Sequence, residues 1–391
     1  MRNAKSLISL LVLLPLYVFG AESKPNILFI NVNDTNDFVG FMGSRYSDQA
    51  ITPQMDALAK KGVAFTNAHC ATPACTPSRH ALFYGKYPFT TGLYRYNFDM
   101  REAEGEVRKG YPELKGLNIL FKEQGYKTYA LGEILGILEE YAIGNEWDYV
   151  SKSRPSEEIT FDPERSFISP VNKPFAFGAS QNEESVYGGY RMASEAIEIL
   201  AQNHADPFFL AVGIYEAHLP VPAPPKYFDW YDDFELLPFY EDDLEDVAEV
   251  GARLVGNGDT YRYLKAEGAW GIAIKSYLAM LSYVDAQVGR IVEALENSPH
   301  RDNTIVVLWS DHGNNYGRKL KVSKFNLWEP ATRVPLIIWD TRNPQRKGIC
   351  AEGTSLVDLY PTLLNLTHTE GPTGLDGVDL TPWLDEPTSA R

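Results

Sequence analysis

Short apolar runs separated by helical patterns constrain this chain most. Asn26 to Val32 (NILFINV), Phe208 to Ile214 (FFLAVGI), Thr304 to Trp309 (TIVVLW) and Pro335 to Trp339 (PLIIW) are rich in β-branched and aromatic residues. Bounded by turn residues, such runs suit parallel strands covered on both faces. Between them, Pro53 to Lys61 reads as a helix with Thr52 as its N-cap and proline at its first position. Tyr277, Leu281, Val284, Val288, Ile291 and Leu295 step by four and three residues, one apolar face of a long helix. The alternation predicts an α/β fold with a mostly parallel central sheet sandwiched by helices. At 391 residues and 44% hydrophobic content, the chain is long enough to bury one large core.

The first 23 residues read as a signal peptide: Arg2 and Lys5 precede an apolar run from Leu7 to Phe19, too short for a membrane span. An uncleaved anchor is the other reading of this segment. Residues 24–391 then form the catalytic domain, secreted or periplasmic, with no stable membrane insertion. The net charge of −16 argues against nucleic acid and against anionic membranes as partners. An anionic substrate therefore needs local positive charge set against the overall field. The three cysteines, Cys70, Cys75 and Cys350, leave at least one thiol unpaired. Cys70 and Cys350 read equally as a bridge or as two small buried hydrophobes.

Open α/β sheets place their sites beyond the carboxyl ends of the strands. Asn33 and Asp34 follow the first run, Glu216 and His218 follow Phe208–Ile214, and Asp311 and His312 follow Trp309-Ser310. Carboxylates clustered with an amide point to a hard divalent cation with oxygen ligands, calcium more than zinc. Cys75 stands as a nucleophile, a metal ligand or neither. Ser78 is placed to cap a helix running on through Leu82, and Arg79 adds a bidentate donor suited to sulfate or phosphate. Three long irregular stretches, Asp99 to Gly116, Ser151 to Ser185 and Val221 to Thr260, read as site-lining loops or lids. Within them Tyr227, Phe228, Trp230 and Tyr231 read either as a surface for stacking on sugar rings or as packing at the core's edge.

Cys75-Thr76-Pro77-Ser78-Arg79 resembles the Cys-x-Pro-Ser-Arg signature of the sulfatases. In order along the chain, Asn26-Ile27-Leu28-Phe29-Ile30 leading to Asp34, Phe65 to Cys70 and Trp309 to Gly313 are also similar to that family. So are Lys324 to Glu329 with Thr332 to Leu336, Asp358 to Leu363, and Gly374 to Gly377. The blocks span about residues 25 to 385 and look most like the iduronate-sulfatase and choline-sulfatase branch. The resemblance implies an alkaline-phosphatase-like fold and a sulfuric ester hydrolase. It further implies that a formylglycine-generating enzyme converts Cys75 to formylglycine, whose hydrate attacks the sulfur of a sulfated carbohydrate or small alkyl sulfate. Carried over by position, Asn33, Asp34, Cys75, Asp311 and His312 would hold one calcium ion. Arg79 would steady the formylglycine, while His218 and Lys324 would contact the sulfate or protonate the leaving oxygen.

The chain departs from that pattern at four places. Asn33 stands where the family has a first aspartate. Gly132-Glu133-Ile134-Leu135-Gly136 replaces Gly-Lys-x-x-His, with Lys321 as a substitute cation, and Phe83-Tyr84-Gly85 replaces Leu-Thr-Gly. Members of that family usually continue into a small C-terminal subdomain after this point, so the resemblance implies either a truncated sequence or one in which that subdomain is dispensable. These departures motivate a second reading, a catalytically impaired binding protein for sulfated glycans. A phosphatase or phosphodiesterase is disfavoured, because only seven histidines are present and few stand at strand ends.

Overall fold

A computed structural model describes residues 24–94, 107, 109–135, 146–152, 159–170, 175–238, 243–255 and 259–390. The expected signal peptide, Gly136 and parts of the three long irregular stretches lie outside these residues.

The described strands are β1 (Asn26–Val32), β2 (Val63–His69), β3 (Lys127–Gly132), β4 (Tyr149–Val150), β5 (Phe161–Ile168), β6 (Ala176–Ser180) and β7 (Phe208–Ile214). They continue with β8 (Val221–Ala223), β9 (Thr304–Trp309), β10 (Asn315–Tyr316), β11 (Val322–Ser323), β12 (Arg333–Asp340), β13 (Gly348–Cys350) and β14 (Thr354–Ser355). One sheet runs β13-β2-β12-β9-β1-β7-β3-β4, with β14 also paired to β2. A second joins β5, β6 and β8, and β10 pairs β11 as a small hairpin. β1 lies at the centre of the large sheet, parallel to both β7 and β9. The run at Pro335 corrects the expectation of a parallel strand: β12 is antiparallel to β9 and to β2. It follows β9 by way of the small hairpin with no crossover helix long enough to carry the chain back, so it returns in the opposite direction.

Helices cover both faces. α1 (Pro53–Lys61), α2 (Cys75–Tyr84), α3 (Leu117–Glu123), α4 (Gly188–Leu200), α5 (Trp270–Glu296) and α6 (Leu359–Leu366) are the main ones. Alternation along β1 divides its side chains: Leu28, Ile30 and Val32 join the core beneath α1, α4 and α5, while Ile27 and Phe29 join the core beneath α2, α3 and α6. A strand buried on both sides is mostly apolar on both faces, which is why NILFINV carries no binary pattern, and its two asparagines are buried with it.

Several local expectations change. Thr52 makes no side-chain cap to α1; its Oγ1 accepts the Gly40 N–H instead. Asp285, on α5, supplies the cap across space, accepting from Gln54 N at 3.1 Å and Met55 N at 2.7 Å. Glu216 likewise leaves the site for a structural task, accepting the Gly189 N–H of the first turn of α4 at 2.6 Å. Tyr227, Phe228 and Tyr231 are buried in the core, so of the four aromatics only Trp230 is exposed. Cys70 and Cys350 are free and buried, in agreement with the small-hydrophobe reading.

Replacing Asp285 by Ala is expected to cost about 1–3 kcal/mol, because it leaves two N–H groups of α1 without their acceptor. Urea unfolding followed by circular dichroism measures this, with Asp285→Asn recovering only part of the loss, because its amide oxygen replaces one of the two acceptors.

Candidate active site

The carboxyl ends of β1, β3, β7 and β9 lie on one edge of the sheet, and β2 ends at the same edge. Each supplies a residue to one buried cluster. The chain turns sharply after β1, with Asp34 in the left-handed region at φ 52°. That turn is fixed from below by Tyr277 of α5, whose hydroxyl donates to Asp34 O at 2.8 Å and accepts from Asn36 N at 2.9 Å. Beyond β9, Asp311 Oδ1 accepts both Asp34 N at 3.1 Å and its neighbour His312 N at 3.0 Å.

Beyond β2 comes α2, with Cys75 as its first residue and Ala74 as N-cap. Ser78 therefore sits inside the first turn rather than at the cap, and its Oγ donates to Asp311 O at 2.5 Å. The helix start places Cys75 against unpaired N–H groups and the positive end of the dipole. One turn further on, Arg79 is wholly buried. Its Nε donates to Asp311 Oδ2 at 2.8 Å and its Nη1 to Glu133 Oε1 at 2.7 Å.

Glu133 reaches Arg79 because β3 ends at Gly132 with φ 73°. A Cβ at Gly132 would stand 2.1 Å from Gly213 O on β7, so only glycine passes there. Sequence reasoning took Glu133 as an acid facing the substrate anion in place of a lysine. In the fold its carboxylate is the partner of Arg79.

The thiol of Cys75 is the centre of the cluster. His312 Nε2 lies 3.1 Å from Sγ and Lys324 Nζ lies 3.0 Å from it. His218 also acts on the same sulfur, and the two shift each other toward their charged forms. Lys324 Nζ also donates to both oxygens of Asp34 at 3.0 Å. Each histidine has its Nδ1 on a backbone carbonyl, His312 on Gly313 O at 2.9 Å and His218 on Leu219 O at 2.5 Å. A carbonyl only accepts, so Nδ1 carries the hydrogen and Nε2 is left for the site.

Electrostatics follow from this packing. Burial works against ionising the Cys75 thiol, but His312 and His218 override it and hold the thiol down at about 6. Burial also opposes the carboxylates, yet Lys324 keeps Asp34 below the usual range, and His312 and Arg79 do the same for Asp311. In turn Asp311 and Asp34 overcome the burial of His312 and raise it to about 9. His218 is raised as well, Asp34 and Cys75 outweighing its burial.

Asp34, Cys75, Asp311 and His312 present one ligand atom each within 4.8 Å of one another, all buried. Two ionised carboxylates and an imidazole whose pKa is raised by negative potential fit a divalent cation. Asn33 was expected among the ligands. Its Oδ1 accepts from Asn31 Nδ2 at 2.6 Å, which leaves one lone pair of that oxygen over. Tyr277 and Ser310 were missed by sequence reasoning. The first was read only as core; the second bridges the loops, its Oγ accepting from Thr35 N and donating to His312 O. A hydroxyl at a strand end is too common to signal such a role.

Arg79→Met is expected to lower the unfolding free energy by about 3–5 kcal/mol, since it strands the buried Asp311 carboxylate. Glu133→Gln keeps an acceptor for the same guanidinium and should cost about 1 kcal/mol. Urea titrations of the two variants beside the parent separate these outcomes.

The sulfatase family pattern matches residues 25–369. A sulfatase of Formosa agariphila is 34% identical over 367 residues, covering 88% of this chain and 69% of its own. Iduronate 2-sulfatase of Mus musculus is 28% identical, covering 82% of this chain and 60% of its own. Among solved structures, the phosphonate monoester hydrolase of Agrobacterium radiobacter superposes with a TM-score of 0.74 at 21% identity, over 94% of this chain and 79% of its own. That likeness shows the shared alkaline-phosphatase-like fold. The chain belongs to the sulfatase family, the sulfuric ester hydrolases, and the residues of the cluster around Cys75 all lie within the matched span.

Proposed function

We propose that the chain releases sulfate from a sulfated carbohydrate or related alkyl sulfate, using a formylglycine made from Cys75 and one calcium ion. The convergence of His312 Nε2 and Lys324 Nζ on Cys75 Sγ, at 3.1 and 3.0 Å, carries this reading. Asp34, Asp311, His312 and the group at position 75 would hold the ion, with Asn33 contributing its remaining lone pair. Bound there, calcium supplies fixed positive charge for the sulfuryl oxygens. Formylglycine supplies, as its hydrate, an oxygen nucleophile where a thiol stands before conversion.

The chain's own residues do the rest. Lys324 Nζ, buried and with its pKa raised, keeps its charge beside the reacting atom and binds a sulfate oxygen. His218 has Nδ1 tied to Leu219 O, so Nε2 is directed inward, and its raised pKa suits it to give a proton to the leaving alkoxide. Arg79 is locked by Asp311 and Glu133 and steadies position 75 from one helical turn away. Glu133 neutralises part of Arg79, so the burden of meeting the anion falls on Lys324 and His218.

Cys75 is 3% exposed at the start of a helix that is buried nearly throughout. A modifying enzyme therefore meets this cysteine only before α2 is packed. The unmodified folded chain should resist conversion by the formylglycine-generating enzyme, while the denatured chain or a peptide spanning the signature is converted. Peptide mass spectrometry reads the difference.

Export of the chain to the periplasm or the medium belongs to the same proposal. No helix among the described residues is long and apolar enough to cross a membrane.

The deciding experiment measures sulfate release by ion chromatography from sulfated sugars, choline sulfate and an aryl sulfate, with Cys75 conversion established by mass. Release that vanishes in Cys75→Ala is the expected result. No release from fully converted protein would favour the impaired, glycan-binding reading. Calcium should raise the melting temperature of the parent and leave Asp34→Asn nearly unmoved, as a thermal-shift titration with chelated controls would show.

A further inference from the structure

While position 75 is still a cysteine, the cluster offers a different set of donors from the one it offers after conversion. His312 Nε2 lies 3.1 Å from Cys75 Sγ, 3.4 Å from Asp34 Oδ1 and 3.8 Å from Asp311 Oδ2. One ligand atom from each of the four residues falls within 4.8 Å of all the others, and all four residues are buried. Donors bound to a tetrahedral zinc ion at about 2.0–2.3 Å stand about 3.3–3.8 Å from one another. The three separations measured from His312 span that range, so a small shift closes the set round one ion. The donors are also oriented from outside the set. Gly313 O holds His312 Nδ1 at 2.9 Å and so turns Nε2 to the centre, and Arg79 Nε holds Asp311 Oδ2 at 2.8 Å.

The chemistry of those donors selects the ion. Calcium takes a shell made of oxygens, and here sulfur and nitrogen occupy two of the four positions. A thiolate and an imidazole beside two carboxylates suit zinc, and four such donors complete its tetrahedron. Copper in its reduced form favours sulfur ligands, and the two carboxylates speak against it. Charge agrees with a divalent ion. A thiolate and two carboxylates carry three negative charges. Lys324 meets one of them, donating to Sγ and to both oxygens of Asp34 at 3.0 Å. Two are left for the ion when both histidines are neutral, since Arg79 is also paired with Glu133. Conversion to formylglycine takes away the sulfur and its charge together. The remaining donors are then mostly hard oxygens, which return the preference to calcium.

We propose that the chain binds one zinc ion through Cys75, His312, Asp34 and Asp311 while Cys75 is unconverted, and that conversion of Cys75 switches the site from zinc to calcium. The inference rests on the ion site of the reading above and not on sulfate release. It gives the unconverted chain a state of its own: the sulfur is bound to metal, with Lys324 donating to it, and is closed to oxidation and to modifying chemistry. The order of events then matters, because zinc loading and conversion compete for the same sulfur. The other two cysteines take no part, Cys70 and Cys350 being free and buried outside the cluster.

The test uses the full chain made without the modifying enzyme, kept reduced by a non-chelating phosphine, with Cys75 shown to be unconverted by peptide mass. Zinc is titrated against a chromogenic chelator. One ion per chain should bind and stay bound in about a hundredfold excess of calcium. Cobalt substituted for zinc should show a sulfur-to-cobalt charge-transfer band and the visible bands of a tetrahedral ion, a reading taken on the parent chain that needs no variant. Cys75→Ser, with its fold checked by circular dichroism, should lose the charge-transfer band and weaken zinc by more than about 100-fold, since loss of a direct ligand exceeds the loss of an outer partner. Its calcium affinity should not fall. No zinc bound, zinc displaced by calcium, a cobalt spectrum without the sulfur band, or equal zinc affinity in Cys75→Ser each overturns the inference. Fully converted protein should give up zinc to the same excess of calcium, and retention of zinc there overturns the switch. Zinc bound by the unconverted chain, with no calcium effect on the melting temperature of the converted one, would leave the zinc site standing and sink the calcium part of the proposed function instead.

Discussion

The Asp311 carboxylate is the constraint on which the site depends. It stands wholly buried past the end of β9 and is shared by three segments that are far apart in sequence. Oδ1 takes the N–H groups of Asp34 and His312, Oδ2 takes Arg79 Nε, and the backbone oxygen takes Ser78 Oγ. One acid thereby fixes the turn after β1, the turn after β9 and the start of α2. A buried carboxylate needs every lone pair met, and here meeting them assembles the geometry around Cys75.

The second theme is charge held in alternation. Asp34 and Asp311 are interleaved with Lys324, His312 and Arg79, and these partners shift one another toward their ionised forms, while Glu133 lies beside Arg79. An overall acidic chain can thus present cations to an anionic ester, because the positive groups are fixed by buried acids rather than by bulk charge. The arrangement also gives Glu133 a function. A carboxylate at that position looks wrong for a sulfate site when read along the chain, yet in three dimensions it completes the clamp on Arg79.

Much of the fold was legible. The apolar runs at Asn26, Phe208 and Thr304 became three adjacent parallel strands, because a strand buried on both faces has little choice of composition. The residues following those runs, Asp34, His218, Asp311 and His312, were legible for the same reason: strand ends at one sheet edge converge. Capping was not legible. Thr52 and Ser78 both had the right chemistry in the right place, but Asp285 from a distant helix displaced the first and Ala74 stands at the cap expected of the second. Glu216 followed a strand as the other site acids do, and only its distance to Gly189 N shows that it serves a helix.

The sequence by itself determined the layered α/β architecture, the family and the polar side chains that stand at the strand ends, since periodicity and local motifs are short-range properties written residue by residue. The tertiary structure decided the direction of β12, the pairing of Glu133 with Arg79, the burial of Tyr227 and its neighbours, and the exposure of Phe325 and Leu327. These depend on which surfaces meet across hundreds of residues. A hydrogen bond or a buried ring is settled by a distance in space, and distance in space is fixed only once the whole chain has packed.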